Sequence, residues 1–439
     1  MDGKTVGFVS LGCPKATVDT ERLLTRFAQE GIDAVDGDAE VTVVNTCGFI
    51  DAAREESMDT IRALVEEGRR VLVTGCLGKE VDLLRTQFPT IEHISGPADP
   101  EAVVSAVLAQ TPERVAPIQV GPAGVKLTPH HYSYLKISEG CNHKCTFCII
   151  PQLRGPLRSR RVDDVLEEAD RLAEQGTKEV LLVAQDLSAY GLDLRYAEAE
   201  VAGERLASQI VPLARALGTR FEWVRLHYVY PYPHVDDLIP LMNDGLVLPY
   251  LDMPLQHAAP SVLKAMRRPA AVEKVLDRLR SWRERCPELA IRSTFIVGFP
   301  GETDRDFELL LEFLDEAQLD RVGCFTYSAV EGAVANGLAE HVPERDKLDR
   351  QEILLEQQAE ISANRLAACV GSTLQVLVDE TSEAGAVARS YRDAPEVDGV
   401  VLVDDGQELV PGEFAWVRIT GATEHDLQAS LLGRAVKLD

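Results

Sequence analysis

The residues best equipped for chemistry in this chain are cysteines, and their spacing sorts them into groups. Cys141-Asn142-His143-Lys144-Cys145-Thr146-Phe147-Cys148 places three thiols on one short stretch. A single loop can therefore bring three thiolates to a common centre. A zinc site would want a fourth ligand, for which His143 is at hand. An iron–sulfur cluster ordinarily takes four protein ligands; one held by three cysteines keeps an iron open to substrate. The second set is dispersed. Cys13, Cys47 and Cys76 each stand just past a short apolar run, in VSLGC, VVNTC and LVTGC. If those runs are parallel strands, their ends share the sheet edge where doubly wound folds bind ligands. Three thiolates then converge without a local motif. A lone buried cysteine is often only a small core residue, but three in equivalent places point to a second three-cysteine metal cluster. Cys286, Cys324 and Cys369 have no partner spacing and read as structural.

Those thiols need elements to hold them. Over residues 1–110, Lys4–Ser10, Val41–Asn45 and Val71–Thr74 are short, β-branched and bounded by Gly or Cys, which predicts buried strands. Thr17–Gln29 and Asp51–Glu67 between them have helical periodicity. This is a doubly wound parallel α/β domain. Residues 111–130 are rich in Pro, Gly and His and read as a linker. Over 131–370, strands at Tyr132–Ile137, Glu179–Ala184, Phe221–Leu226, Tyr250–Met253, Ile291–Val297 and Arg321–Tyr327 alternate with helices such as Val162–Gln175 and Asp304–Ala317. Six such units predict a partial (βα)6 barrel, whose βα loops carry chemistry at the C-terminal face. Pro343–Cys369 reads as its last helix. Residues 371–439 change to strands at Thr373–Asp379, Gly399–Val403 and Phe414–Thr420, a small OB-like β-barrel.

The 439 residues are 45% apolar and 26% charged, a soluble globular profile. No apolar run approaches the ~20 residues of a membrane span, and residues 1–25 lack a signal core, so a cytoplasmic protein without a membrane partner is expected. The net charge is −26. Such a field opposes polyanions and favours a basic partner. Residues 1–110 hold 10 basic and 19 acidic residues, and residues 372–439 hold 5 and 13. Both ends are acidic, and nucleic acid is not expected as the direct substrate.

The motifs resemble one family closely. Ser10-Leu11-Gly12-Cys13-Pro14-Lys15, Asn45-Thr46-Cys47, Thr74-Gly75-Cys76, Glu139-Gly140-Cys141 through Pro151, Arg154-Gly155 and Arg158-Ser159-Arg160 are similar to those of the radical S-adenosylmethionine methylthiotransferases. Pro254-Leu255-Gln256-His257, Met266-Arg267-Arg268 and Gly298-Phe299-Pro300-Gly301-Glu302 extend the match over nearly the whole chain. Ala388–Gly399 resembles the C-terminal TRAM domain of the branch that modifies an aspartate of ribosomal protein S12. Ser328–Ala333 departs from the family's more acidic stretch.

The resemblance implies a four-iron–four-sulfur cluster on Cys141, Cys145 and Cys148. Its open iron would chelate S-adenosylmethionine for reductive cleavage to a deoxyadenosyl radical. A second such cluster on Cys13, Cys47 and Cys76 would bind or supply the sulfur. Phe147 would shield the first cluster or pack on adenine. Gln185 and Asp186, at the end of the second barrel strand, would contact the cofactor's amino group or ribose. Ser293, Ile296 and Gly298 on the fifth strand would approach ribose or adenine. Arg154, Arg158, Arg160 and Arg161 would guide an acidic target or hold the cofactor's carboxylate, or else pair within the protein; His257 would touch a ligand or serve the core. The implied reaction is methylthiolation of an aspartate β-carbon in S12, with a flavodoxin- or ferredoxin-type electron donor and the acidic TRAM domain gripping S12. The alternatives are a tRNA adenosine as substrate, which a basic TRAM domain would suit, and a non-catalytic iron–sulfur electron carrier.

Overall fold

The computed structural model describes residues 5–36, 39, 41–97, 99–110, 118, 120–268 and 274–435. In the N-terminal part, Thr5–Ser10, Val41–Thr46 and Arg70–Gly75 are the expected strands, adjacent and parallel. Short strands Asp33–Asp36 and His93–Ile94 flank them and complete a five-stranded sheet. Both have too few apolar residues to announce themselves. Helices Pro14–Gln29, Asp51–Glu66 and Pro100–Gln110 follow strands. Pro14 opens the first of these, where its missing N–H costs nothing. Lys4, and residues 111–117 and 119 of the expected linker, lie outside the described residues.

The central part is a six-stranded sheet in sequence order: Tyr132–Lys136, Glu179–Val183, Trp223–Leu226, Tyr250–Asp252, Ala290–Val297 and Arg321–Thr326. Every pairing is parallel, and the first and last strands do not meet. The sheet is thus an open barrel, with all C-terminal strand ends on one rim. Its continuous apolar core runs from Leu135 through Leu182, Leu226 and Phe295 to Leu354. The two free edges are covered. Val18 of the first N-terminal helix packs with Tyr132 and Tyr134, and Lys126, Thr128 and Arg160 donate to the carbonyls of Tyr132 and Lys136. On the far edge, Gln351 of helix Glu344–Ala367 donates to Cys324 O at 2.7 Å.

The last part is a closed barrel of five strands. Thr373–Ser382, Val401–Val403 and Phe414–Ala422 are the expected ones; Gly385–Ser390 and Leu427–Arg434 are added. Strand Gly385–Ser390 and the stretch after it dock this barrel on the central sheet, largely through buried charges. Glu179 accepts from Arg225 Nε at 2.7 Å and from Arg389 at 2.5 Å. Asp393 pairs with Arg321 at 2.8 Å, and Asp398 with Arg292 at 3.3 Å and the Tyr250 hydroxyl at 2.7 Å. Arg392 pairs with Asp320, and Glu396 accepts from the Tyr132 and Tyr134 hydroxyls. The domain's acids therefore do not all contribute to an outward-facing surface. Asp393 and Asp398 are spent inside the molecule, whereas Glu380, Glu383, Asp404, Asp405 and Glu408 are exposed.

Candidate active site

Three strand ends leave the N-terminal sheet side by side. Leu11 N donates to Asn45 O at 2.9 Å and Cys76 N to Thr46 O at 3.0 Å, so the loops carrying Cys13, Cys47 and Cys76 stay in contact past the sheet. Gly12 turns at φ +104°, and a Cβ there would stand 3.5 Å from Cys47 Sγ. Ser57 clamps Cys47, accepting from its N–H and donating to its carbonyl. Burial raises all three thiols. It prevails at Cys47 and at Cys76, pushed up to about 11 despite Arg154; at Cys13, Lys15, two backbone amides and Arg154 outweigh it and leave the thiol below the usual range.

The second cysteine loop follows the first barrel strand. Gly140 has φ +75°, and a Cβ would meet Pro156 O at 2.2 Å; only glycine lets Cys141 N reach Gly155 O at 3.1 Å. Thr146 ties the loop to helix Pro260–Met266, donating its N–H to Met266 O and its hydroxyl to Ala265 O. Arg268, just past that helix, donates to Pro254 O at 2.6 Å, stands 3.7 Å from Cys145 Sγ and lies 3.9 Å over the Tyr230 ring. Burial pulls Arg268 down to about 10, and burial raises Cys141 to about 11 and Cys148 to about 12. His143 is held 2.8 Å from Asp186 and stacked on Tyr230 rather than gathered with the thiols. Among the described residues, no three Cys, His, Asp or Glu side chains close on a single metal ion. A four-iron cluster makes a different demand, one thiolate at each of three separated corners.

The two cysteine sets share a wall. Helix Ile150–Arg154 begins two residues after Cys148, and Cys76 packs against Ile149 and Leu153, together with Val330 and Ala333 of the stretch that departs from the family pattern. Arg154 closes the seam. It donates to both Glu139 oxygens at 3.0 Å and to Asp19 at 3.1 Å, while Lys136 pairs with the same two carboxylates. Burial would raise Glu139, yet Lys136 and Arg154 hold it down at about 2.

Of the residues expected to touch a cofactor, Gln185 and Asp186 stand on the rim. Gln185 Nε2 donates to Glu139 at 2.9 Å, and its buried Oε1 has no partner. Asp186 accepts from Ser188 N and pairs with His143. Ser293 accepts from Leu255 N. Phe147 and Ile296 both pack against the buried cluster that contains Met266, Phe299 and Tyr327. Gly298 has φ +72°, with Lys347 filling the space beside it. His257 is buried, accepting from Ala259 N and 3.6 Å from Glu302. The basic run pairs internally: Arg160 with Glu168 and Arg161 with Asp163, while Arg158 is exposed. Sequence reasoning assigned no role to Lys15 and Arg268, although both lie in quoted motifs. Their signal was position alone, one two residues past Cys13 and the other at the foot of a helix.

Three family models match: the Radical SAM superfamily over 135–314, a TRAM domain over 370–432, and Uncharacterized protein family UPF0004 over 5–96. The chain is 57% identical to the Ribosomal protein uS12 methylthiotransferase RimO of Marinobacter nauticus, covering 97% of this chain and 95% of that one. It is 58% identical to the protein of the same name from Alkalilimnicola ehrlichii, over 97% and 98%. The solved structure of the radical S-adenosylmethionine methyltransferase TsrM from Kitasatospora setae, with cobalamin and a [4Fe-4S] cluster, shares the fold, with a TM-score of 0.52, 14% identity and coverage of 74% and 75%.

Proposed function

Because the chain belongs to the uS12 methylthiotransferase family, a family of radical S-adenosylmethionine enzymes, we propose that it replaces a β-hydrogen of an aspartate in ribosomal protein S12 with a methylthio group. The observation that carries this reading is the shared wall, on which Cys76 of one cysteine set packs against the residues that follow Cys148 of the other. A sulfur-bearing centre and a radical-forming centre must both reach one carbon, and this arrangement supports that.

We assign one four-iron–four-sulfur cluster to Cys141, Cys145 and Cys148 and another to Cys13, Cys47 and Cys76. The donor sets fit: three half-buried or buried thiols each, with no competing disulfide among the described residues, and a cation beside each, half-buried Arg268 and buried Arg154, to offset anionic thiolate clusters. Held by Cys141, Cys145 and Cys148, such a cluster together with S-adenosylmethionine would supply the radical chemistry needed to take hydrogen from an unactivated C–H bond. Gln185 Oε1, buried without a partner, would be free to accept a hydrogen bond from the cofactor. Asp186, Ser293, Ile296, Gly298 and Phe147 are the remaining contacts assigned to it. Tyr230 and Arg268 wall the rim above Cys145. A flavodoxin- or ferredoxin-type protein supplies electrons, and the enzyme works where ribosomes are, in the cytoplasm. Among the described residues no helix is long and apolar enough to cross a membrane.

The test is anaerobic incubation of reconstituted enzyme with S12, tRNA, S-adenosylmethionine, sulfide and reductant, read by mass spectrometry. A methylthio adduct on an S12 aspartate is expected. An adduct on tRNA adenosine with S12 untouched overturns the reading.

A further inference from the structure

Cations buried in this acidic protein are, with few exceptions, matched by carboxylates. Lys136 and Arg154 share Asp19 and Glu139, Arg225 and Arg389 share Glu179, and Arg350 has Glu302. Lys15 breaks this pattern. It is 8% exposed; its ammonium lies 3.5 Å from Ala184 O and 3.6 Å from the Tyr228 ring centroid, and it also interacts with the Cys13 thiol. Among the described residues, no carboxylate stands within ion-pair reach. An ammonium carries three donors, and one long hydrogen bond with a ring face leaves donor capacity unused.

Its location narrows what would use that capacity. Lys15 belongs to the N-terminal domain, two residues from Cys13, but its tip lies on the barrel rim. Ala184 follows the second barrel strand, and Tyr228 lies two residues past the third. Tyr228 is held at φ +59°, in the left-handed region that a bulky side chain rarely adopts. Asp252 accepts from its N–H at 3.3 Å, and Leu187 N donates to its carbonyl at 3.1 Å. These contacts fix the backbone of the residue whose ring lies under the ammonium.

We propose that Lys15 is the receptor for the carboxylate of the substrate aspartate, and so the residue that selects an acidic side chain. This rests on the reading of S12 as substrate. The β-carbon that receives sulfur is bonded directly to that carboxylate carbon. A cation beside Cys13, on the rim of the radical barrel, therefore holds the group adjacent to the reacting atom between the two centres. The methionyl carboxylate of S-adenosylmethionine has the same chemistry, and the experiment must separate the two sources.

Full-length reconstituted enzyme, wild type, Lys15→Met and Lys15→Arg, is tested for binding S12 and S12 with the target aspartate changed to asparagine, with S-adenosylmethionine present and no reductant. S-adenosylmethionine binding without S12, iron content and the reduction potential of each cluster are measured on the same samples. Wild type should prefer the aspartate form by about 100-fold or more, Lys15→Met should lose that preference, and Lys15→Arg should recover part of it. Equal binding of both S12 forms by wild type overturns the proposal, whether or not Lys15→Met folds. Discrimination retained in Lys15→Met overturns it too, whether the variant instead weakens S-adenosylmethionine binding or shifts a cluster potential. If S12 is methylthiolated but not discriminated, only the role of Lys15 falls. If S12 is not modified at all, the substrate assignment falls and Lys15 with it.

Discussion

Glu179 is the residue whose loss should separate the C-terminal barrel from the central sheet. Its carboxylate is fully buried between two guanidiniums, Arg225 of the sheet and Arg389 of the small barrel, which are 0% and 2% exposed. Glu179→Gln keeps the shape but removes the charge. The amide offers one oxygen to two arginines and turns its N–H groups on the other, leaving a buried cation short of an acceptor. Arg389 retains Asp379 at 2.7 Å and Arg225 retains Tyr391 O at 2.7 Å, which limits the damage. Breaking a buried pair on one side costs about 3–5 kcal/mol; with those remaining partners, the lower end applies. At 1.36 kcal/mol per decade, undocking should become on the order of 100-fold more populated. Hydrogen exchange read by mass spectrometry is the assay. Peptides over 391–400 should lose protection by that factor, while strands Gly385–Ser390, Phe414–Ala422 and Leu427–Arg434, paired within their own barrel, keep theirs. Unchanged protection over 391–400 would refute the idea that this charge cluster holds the domains together.

Other outcomes follow from the same geometry. Changing Cys141, Cys145 and Cys148 to Ala should halve reconstituted iron and abolish deoxyadenosine formation, whereas changing Cys13, Cys47 and Cys76 should halve iron and abolish methylthiolation; iron analysis and product chromatography check both. Glu139 and Asp252 are each held at about 2, against burial, Glu139 by Lys136 and Arg154 and Asp252 by His227 and Arg292. Their native carboxyls are depressed, so each contributes on the order of 2–3 kcal/mol that is present above pH ~4.5 and lost as pH falls toward 2. Acid unfolding followed by circular dichroism should show a smaller loss over that window in Asp252→Asn, which starts less stable at pH 7. Reversing exposed Asp404 and Glu408 to Lys should weaken S12 binding with little change in melting temperature, whereas Asp393→Lys should lower the melting temperature by several degrees, as calorimetry would record.

The elements that carry the cysteines were legible because each strand is a short β-branched run ended by Gly or Cys, and because parallel topology makes strand ends equivalent. That logic placed Cys13, Cys47 and Cys76 on one edge from positions far apart in the chain. Strands Asp33–Asp36 and Leu427–Arg434 were not legible, since their residues pair in a sheet without forming an apolar run. Charge was the least legible property. A count cannot distinguish Asp393, buried against Arg321, from Asp404, open to solvent, because pairing depends on which surface a loop meets. Lys15 escaped for the same reason: its place on the barrel rim is set by how two domains meet.

An open parallel sheet has a consequence for self-association. A closed barrel has no exposed edge, whereas this one ends in two strands with unpaired peptide groups, the usual template for recruiting another chain. Here the template is blocked by side chains: Lys126, Thr128 and Arg160 occupy carbonyls on the Tyr132–Lys136 edge, and Gln351 occupies Cys324 O on the other. The N-terminal domain and its tether therefore act as an edge guard as well as a cluster carrier. A fragment starting at the barrel, without residues 1–130, would lose Val18, Lys126 and Thr128 from the first edge at once. It would be prone to stack strand against strand, so the barrel should stay dispersed in solution only with its N-terminal domain attached.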